Sequence, residues 1–229
     1  MKILAIESAS ITASCAICGD GNLLGEYTLN HRKTHSEKLM PLIEELMNEL
    51  ELKIQDIDVI AVSEGPGSYT GLRIGAAIAK SLSFAAKIPV AGVPTTKSLA
   101  GNIFDSDKLI VPVMDAKAGR IYTGIYRWEN GALTAVREQF PCNIDELIDI
   151  LNGYEEPLIF NGDGSVNYKN IIEEKLNRAA YFAPNNFNYL HASTLASIGY
   201  EMALRGELIK ASDFKPQYLR LSQAERNKE

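Results

Sequence analysis

Histidine and cysteine are scarce in this chain, three of each among 229 residues, and acids outnumber bases to leave a net charge of −6. Three cysteines make no disulfide framework. Cys15 and Cys18 have C-x-x-C spacing but fall in an alternating strand pattern, where an odd separation sends side chains to opposite faces. That argues against a chelating or redox pair, and the cysteines read as small hydrophobes. The acidic balance argues against a main nucleic-acid surface, because phosphate binding is dominated by clustered Lys and Arg, so any role with RNA is indirect. Long apolar runs are also missing: Leu72 to Ala86 is interrupted by Arg73, Lys80 and two serines and cannot span a bilayer. The opening Met1-Lys-Ile-Leu-Ala-Ile-Glu7 is cut off by its acid too early for a signal peptide. A soluble protein of the reducing cytoplasm is expected, long enough for one large domain or two small ones.

What the chain does have is Ser63-Glu-Gly-Pro-Gly-Ser-Tyr-Thr-Gly-Leu-Arg-Ile-Gly75, where an apolar strand from Asp58 enters a glycine-rich turn that opens the helix Leu72 to Ala86. Junctions of this kind often cradle phosphate. A Walker A loop would follow its last glycine with Lys and Ser or Thr, whereas Gly71 is followed by Leu72 and Arg73. The dinucleotide fingerprint fails too, since the spacing across Gly65, Gly67 and Gly71 is G-x-G-x-x-x-G and the next strand ends without an acid. Two readings stay open: an anion held on free backbone donors, or glycines that let the backbone turn tightly and the helix pack closely.

Periodicity and turn signals divide the chain into two similar halves. The first gives strands Ile3 to Ser8, Thr12 to Cys18 and Leu23 to Leu29, a helix Ser36 to Leu50, the strand before the glycine turn, helix Leu72 to Ala86, strand Ile88 to Val93 and a short helix Thr96 to Ile103. The second gives strands Leu109 to Asp115, Arg120 to Trp128 and Ala132 to Phe140, helix Ile144 to Leu151, strand Pro157 to Phe160, helix Val166 to Asn177, strand Ala180 to Ala183 and helix Ser193 to Leu204. Both read βββαβαβα, and Glu7 and Asp115 each close the first strand of a half. The expected fold class is α/β with duplicated lobes: residues 1–105, then 106–192, with 193–229 a C-terminal helix and tail packing back toward the first lobe.

This plan resembles the ribonuclease H-like superfold of sugar kinases, Hsp70 and actin, in which ATP binds between the lobes; fold alone does not give function. On that resemblance Glu7, Ser8, Asp115 and Gly162 are the nucleotide-binding candidates. ATP-using members place an Asp closely followed by Gly in the first hairpin, whereas Glu7-Ser8-Ala9-Ser10 has a longer acid and an alanine.

Five segments carry a closer resemblance: Ile3 to Ser10, His35 to Ile43, Gly65 to Ala86, Asp115 with Arg120-Ile-Tyr122, and Pro216 to Glu225. Together they resemble the TsaB (YeaZ) family from end to end. That resemblance implies a bacterial subunit of the machinery that makes threonylcarbamoyladenosine at position 37 of tRNA, in which TsaC makes threonylcarbamoyl-AMP, TsaD transfers the group, TsaE is an ATPase and TsaB is the silent relative and partner of TsaD. It implies TsaD and TsaE as partners, a homodimer when TsaD is absent, tRNA contact only through the complex, no membrane, no independently bound cofactor, and ATP or ADP at the partner boundary. The silence agrees with the residues. TsaD-like proteins carry His-x-x-x-His after the corresponding strand, at metal-ligand spacing, and Pro94-Thr-Thr-Lys-Ser-Leu99 has no histidine. His31 and His35 have that spacing in a different element, but Arg32 stands where a metallopeptidase helix needs Glu; Thr34 and Glu37 have capping-box spacing instead, and Pro41 kinks the helix.

Helix Leu72 to Ala86 is apolar nearly all round and demands burial on more sides than one sheet covers. With the apolar stripe of the preceding long helix it forms the expected partner-binding surface: His35, Leu39, Ile43, Leu46, Leu72, Arg73, Gly75, Ala76, Ala79, Lys80 and Ser83. On this expectation Ala79→Arg leaves the chain folded and abolishes docking. The alternative is that the two helices cover each other and the sheet within one lobe. The competing functions are an ATPase or phosphotransferase using Glu7 and Asp115, and a metallopeptidase, which lacks both a zinc motif and a nucleophile–base pair.

Overall fold

The computed structural model describes residues 1–30 and 35–219. The first lobe is a five-stranded mixed sheet in the order β3-β2-β1-β4-β5, built from β1 (Lys2–Glu7), β2 (Thr12–Gly19), β3 (Asn22–Asn30), β4 (Val59–Gly65) and β5 (Val90–Pro94). The second repeats it as β8-β7-β6-β9-β10, from β6 (Leu109–Asp115), β7 (Arg120–Glu129), β8 (Ala132–Asn143), β9 (Leu158–Asn161) and β10 (Ala180–Phe182). In both, the meander is antiparallel and the last two strands are parallel, joined through helices. The duplicated plan expected from periodicity is therefore present.

Local chemistry sets the element ends. Each meander turns on a two-residue hairpin with both residues left-handed, Asp20 and Gly21 at φ 49° and 80°, Asn130 and Gly131 at 52° and 77°, as the right-handed twist of the strands requires. Helix α1 (His35–Glu49) contains Pro41 and precedes β4; α2 (Tyr69–Ala86) starts on the Ser68 hydroxyl, which accepts the Gly71 amide, and stops at Lys87 with φ 58°. Helix α3 (Thr95–Ala100) follows β5, and α4 (Ile144–Leu151) opens on a reciprocal Asn143–Glu146 capping box. Where one helix Val166 to Asn177 was expected, two short ones, α5 (Asp163–Asn167) and α6 (Lys169–Lys175), meet at Tyr168, which leaves helical geometry at φ −107°, ψ 12°. The Asn167 side chain at the break donates to Asp115 at 3.0 Å, a tertiary bond that local pattern does not report. The final helix is α7 (Ala192–Leu204). The Thr34–Glu37 capping box and the His31–His35 pair lie outside the described residues.

Strand alternation sorts the core into layers. In the first lobe Leu4, Ile6, Cys15, Ile17, Ile60 and Val62 pack beneath α1 and α2, while Ile3, Ala5, Ala16, Cys18, Val59 and Ala61 face α7. Cys15 and Cys18 thus point to opposite faces, as their odd spacing requires, and all three cysteines are buried and free. In the second lobe α4 and α6 cover one face and α3 the other, where Ala100 packs on Ile110, Tyr126 and Leu133. The repeats have exchanged their last helices: α3 caps the second sheet and α7 the first. The chain then returns along the first lobe, where Ile209 bridges Val90, Phe214 is 1% exposed in the α1–α2 core, and the Gln217 amide donates to the Glu64 carbonyl at 2.6 Å.

Candidate functional site

The glycine turn is a packing device. A Cβ at Gly67 would lie 2.4 Å from the Ala9 carbonyl oxygen, one at Gly71 2.0 Å from that of Ser8, and one at Gly75 2.4 Å from the Ser8 hydroxyl. Glycine every fourth residue gives α2 a bare stripe on which the β1–β2 hairpin lies directly. Two of the turn's donors are occupied: the Ser68 amide donates to the Ala9 carbonyl at 2.7 Å and the Gly71 amide to the Ser68 hydroxyl at 3.3 Å. Of the two readings left open for this turn, close packing is the one the structure takes.

The nucleotide-binding candidates are held the same way. Glu7 is 0% exposed; its Oε1 accepts the Ala9 amide at 2.7 Å and its Oε2 the Ser63 hydroxyl. Burial pushes its carboxyl up to about 7, against the opposing pull of the hydrogen bonds from Ser63 and Ala9. The Ser8 hydroxyl donates to the Gly71 carbonyl at 2.9 Å. Gly162 has φ 97°, its amide donates to Asn188 Oδ1, and a Cβ there would sit 2.3 Å from the Val113 carbonyl oxygen. Asp115 remains half-exposed, with its oxygens accepting the Lys117 amide at 2.8 Å and the Asn167 amide group at 3.0 Å. Between the lobes Ala9, Leu72, Leu99, Met114 and Leu190 form one buried apolar cluster, with Tyr122 against it. Glu7 and Ser8 are held in the framework of the first lobe, Glu7 fully buried and the Ser8 hydroxyl bonded to α2.

The expected docking surface needs a correction. Leu39, Ile43, Leu46, Leu72, Gly75, Ala76, Ala79 and Ser83 are all buried within the lobe, on the faces that α1 and α2 turn inward. Ser83 donates its hydroxyl to the Ile88 carbonyl at the end of α2. A small-residue stripe lets a sheet and hairpin approach as readily as another helix, and here the sheet and hairpin took it. Arg73 is exposed and Lys80 half-exposed, while the His35 side chain lies outside the described residues. The outward face of α2 carries Thr70, Arg73, Ala77, Ser81, Phe84 and Ala85, with Phe84 84% exposed, and α1 exposes Met40, Glu44, Glu45 and Glu49. Phe84 was legible as a surface residue: at 100° per residue it stands about 140° around the helix from Ala79. At the start of α2 the Arg73 guanidinium donates to the Tyr69 hydroxyl at 2.8 Å, and the Tyr218 ring lies against that of Tyr69.

Two lobes with exchanged last helices define a duplicated α/β protein whose α2 turns a weakly polar face outward. The sequence profile of the TsaD family, tRNA N6-adenosine threonylcarbamoyltransferase, matches residues 22–228. The tRNA threonylcarbamoyladenosine biosynthesis protein TsaB of Bacillus subtilis is 33% identical over 225 residues, 98% of this chain and 96% of that protein. TsaB of Escherichia coli is 33% identical over 134 residues, 57% of this chain and 58% of its own. The solved structure of YeaZ from Pseudomonas aeruginosa superposes with a TM-score of 0.81 at 23% identity, covering 95% of this chain and 99% of that one, a likeness of fold. This chain belongs to the TsaB family. Among the described residues no helix is long and apolar enough to cross a membrane.

Proposed function

We propose that this chain is the non-catalytic subunit that binds and organises a TsaD-type protein, together with TsaE, for transfer of a threonylcarbamoyl group to adenosine 37 of tRNA. It works in the cytoplasm and meets tRNA only through the complex. The docking surface is the outward face of α1 and α2, and without TsaD the same face pairs two copies of this chain. The chain binds no nucleotide alone; ATP or ADP sits at the boundary it shares with its partners.

The observation that carries the reading is the surface of α2. An 18-residue helix that turns Ala77, Ser81, Ala85 and a Phe84 ring 84% exposed to solvent offers shallow apolar relief flanked by Arg73 and Lys80, suited to another helix. The full burial of Glu7, with both oxygens taken by Ala9 and Ser63, supports the absence of intrinsic turnover. The test mixes the purified chain with the TsaD protein of the same cell and reads the assembled mass by size-exclusion with light scattering. Wild type forms a stoichiometric complex, while Ala77→Arg stays folded and elutes alone. Binding by Ala77→Arg at wild-type strength overturns the docking assignment.

A further inference from the structure

The start of α7, which belongs to the second repeat, is fastened to β3 of the first lobe by one carboxylate. Glu26 accepts the Ser193 amide at 3.1 Å on Oε1 and the Ser193 hydroxyl at 2.9 Å on Oε2, and the Ser14 hydroxyl reaches it at 3.2 Å. The same Ser14 hydroxyl accepts the Ala192 amide at 3.1 Å. A carboxylate on the first free amides of a helix is a favourable cap, here supplied from 167 residues away.

His191, at the N-cap of α7, completes this junction, and both of its ring nitrogens face acceptors. Nε2 lies 3.2 Å from the Asn186 carbonyl oxygen, and Nδ1 lies 3.8 Å from Glu26 Oε1. A carbonyl and a carboxylate can only accept. Neutral imidazole carries one N–H, so in either tautomer one nitrogen turns a lone pair toward an acceptor. Only imidazolium donates to the carbonyl and also turns an N–H and a positive charge toward the carboxylate 3.8 Å away.

We propose that His191 is a proton-operated clasp between the two repeats: protonated, it ties the start of α7 to β3, and loss of a proton releases one side of that tie. The groups facing it are defined. β3 presents Glu26, the 3₁₀ turn Asn185–Asn188 presents the Asn186 carbonyl, and α7 presents Ser193. β2 presents Ser14 and, in the field of Glu26, the Cys15 and Cys18 thiols. Burial pushes Cys15 up to about 12 and raises Cys18, so neither thiol ionises near neutrality. The Glu26 partner raises His191 above its ordinary 6.5 while burial opposes it; against desolvation, the nearby His191 and the hydrogen bonds from Ser193 hold Glu26 down at about 2. For a histidine raised in the folded state, the stabilisation is complete below its unfolded value and is lost as pH rises through the folded one. The clasp therefore loosens as pH rises beyond the ordinary imidazole range, on the sheet face opposite α1 and α2.

The test is a proton NMR titration of the His31→Gln/His35→Gln chain, which leaves His191 as the single imidazole. A midpoint above 6.5 that falls when Glu26→Gln is added is the expected result; a midpoint at or below 6.5 overturns the clasp. Should the Glu26 variant fail to fold, hydrogen exchange on the wild-type chain decides. Corrected for base catalysis, the Ala192 and Ser193 amides exchange at least about three-fold faster at high pH than at low, and the difference disappears in His191→Gln. Equal pH dependence in wild type and His191→Gln overturns the proposal.

Discussion

At Gly71 a single added carbon would meet the Ser8 carbonyl oxygen at 2.0 Å, and neither partner is a side chain that can swing away. Gly71→Ala is expected to cost about 2–3 kcal/mol through forced separation of α2 from the hairpin, read as a shift of the urea midpoint at unchanged slope. Ala79 is 0% exposed, so Ala79→Arg, expected from sequence to affect docking alone, instead drives a cation into the first-lobe core. It should lower stability by roughly 3 kcal/mol or more, with loss of the folded monomer by circular dichroism. Glu7 carries a pH signature. Its folded value near 7 lies above the ordinary 4.5, so its proton is retained on folding; stability is full below about 4.5, falls as pH rises toward 7 and then levels. The fall attributable to Glu7 is roughly 3 kcal/mol, and Glu7→Gln should remove it, seen as a smaller difference between urea midpoints at pH 5 and pH 8. The Glu26 carboxylate has the opposite sign, contributing above 4.5 and losing that contribution as pH falls toward 2.

Among the elements, α2 holds two separate surfaces. Its inner line Gly71, Leu72, Gly75, Ala76, Ala79 and Ser83 serves the lobe, and its outer line Arg73, Ala77, Ser81 and Phe84 is exposed. Phe84→Ser touches only the outer line. It should leave stability within about 0.5 kcal/mol of wild type by thermal melt and weaken assembly with the TsaD protein, measured by calorimetric titration. Unchanged affinity would move the docking surface elsewhere on the fold. Most elements were legible because their causes are local: α4 matches the span Ile144 to Leu151 read from periodicity, and both hairpins match their Asp-Gly and Asn-Gly turns. The break between α5 and α6 was not legible, since Asn167 is drawn to Asp115 across 52 residues. Burial of the glycine and alanine stripe within the lobe was half legible. Helical spacing put the small residues on one side, but spacing does not say whether a sheet or a foreign helix lies there.

For the whole molecule the exchange of α3 and α7 removes the independence of the lobes. Residues 1–105 alone would leave Ile3, Ala5, Ala16, Cys18, Val59, Ala61, Ala91 and Val93 without α7 above them. That fragment is expected to lack a cooperative thermal transition by calorimetry, whereas the full chain unfolds in one; two separate transitions in the full chain would contradict the interlocked packing. Thr96 reinforces the lock from the other side, its hydroxyl 2.7 Å from that of Tyr126 in the second sheet.

The order of strands and helices, their duplication and the turns between them could be read from the chain alone, because periodicity, capping and turn chemistry act over a few residues. The chain also carried the family, through the segments around the glycine turn. Packing settled which side of α2 faces inward, that α3 crosses to the second sheet, and that Glu7 is fully buried with Ser8 bonded to α2. Those outcomes depend on pairs such as Ser8 with Gly71, 63 residues apart, and Ser14 with Ala192, 178 apart. Their contact is set by how whole layers stack.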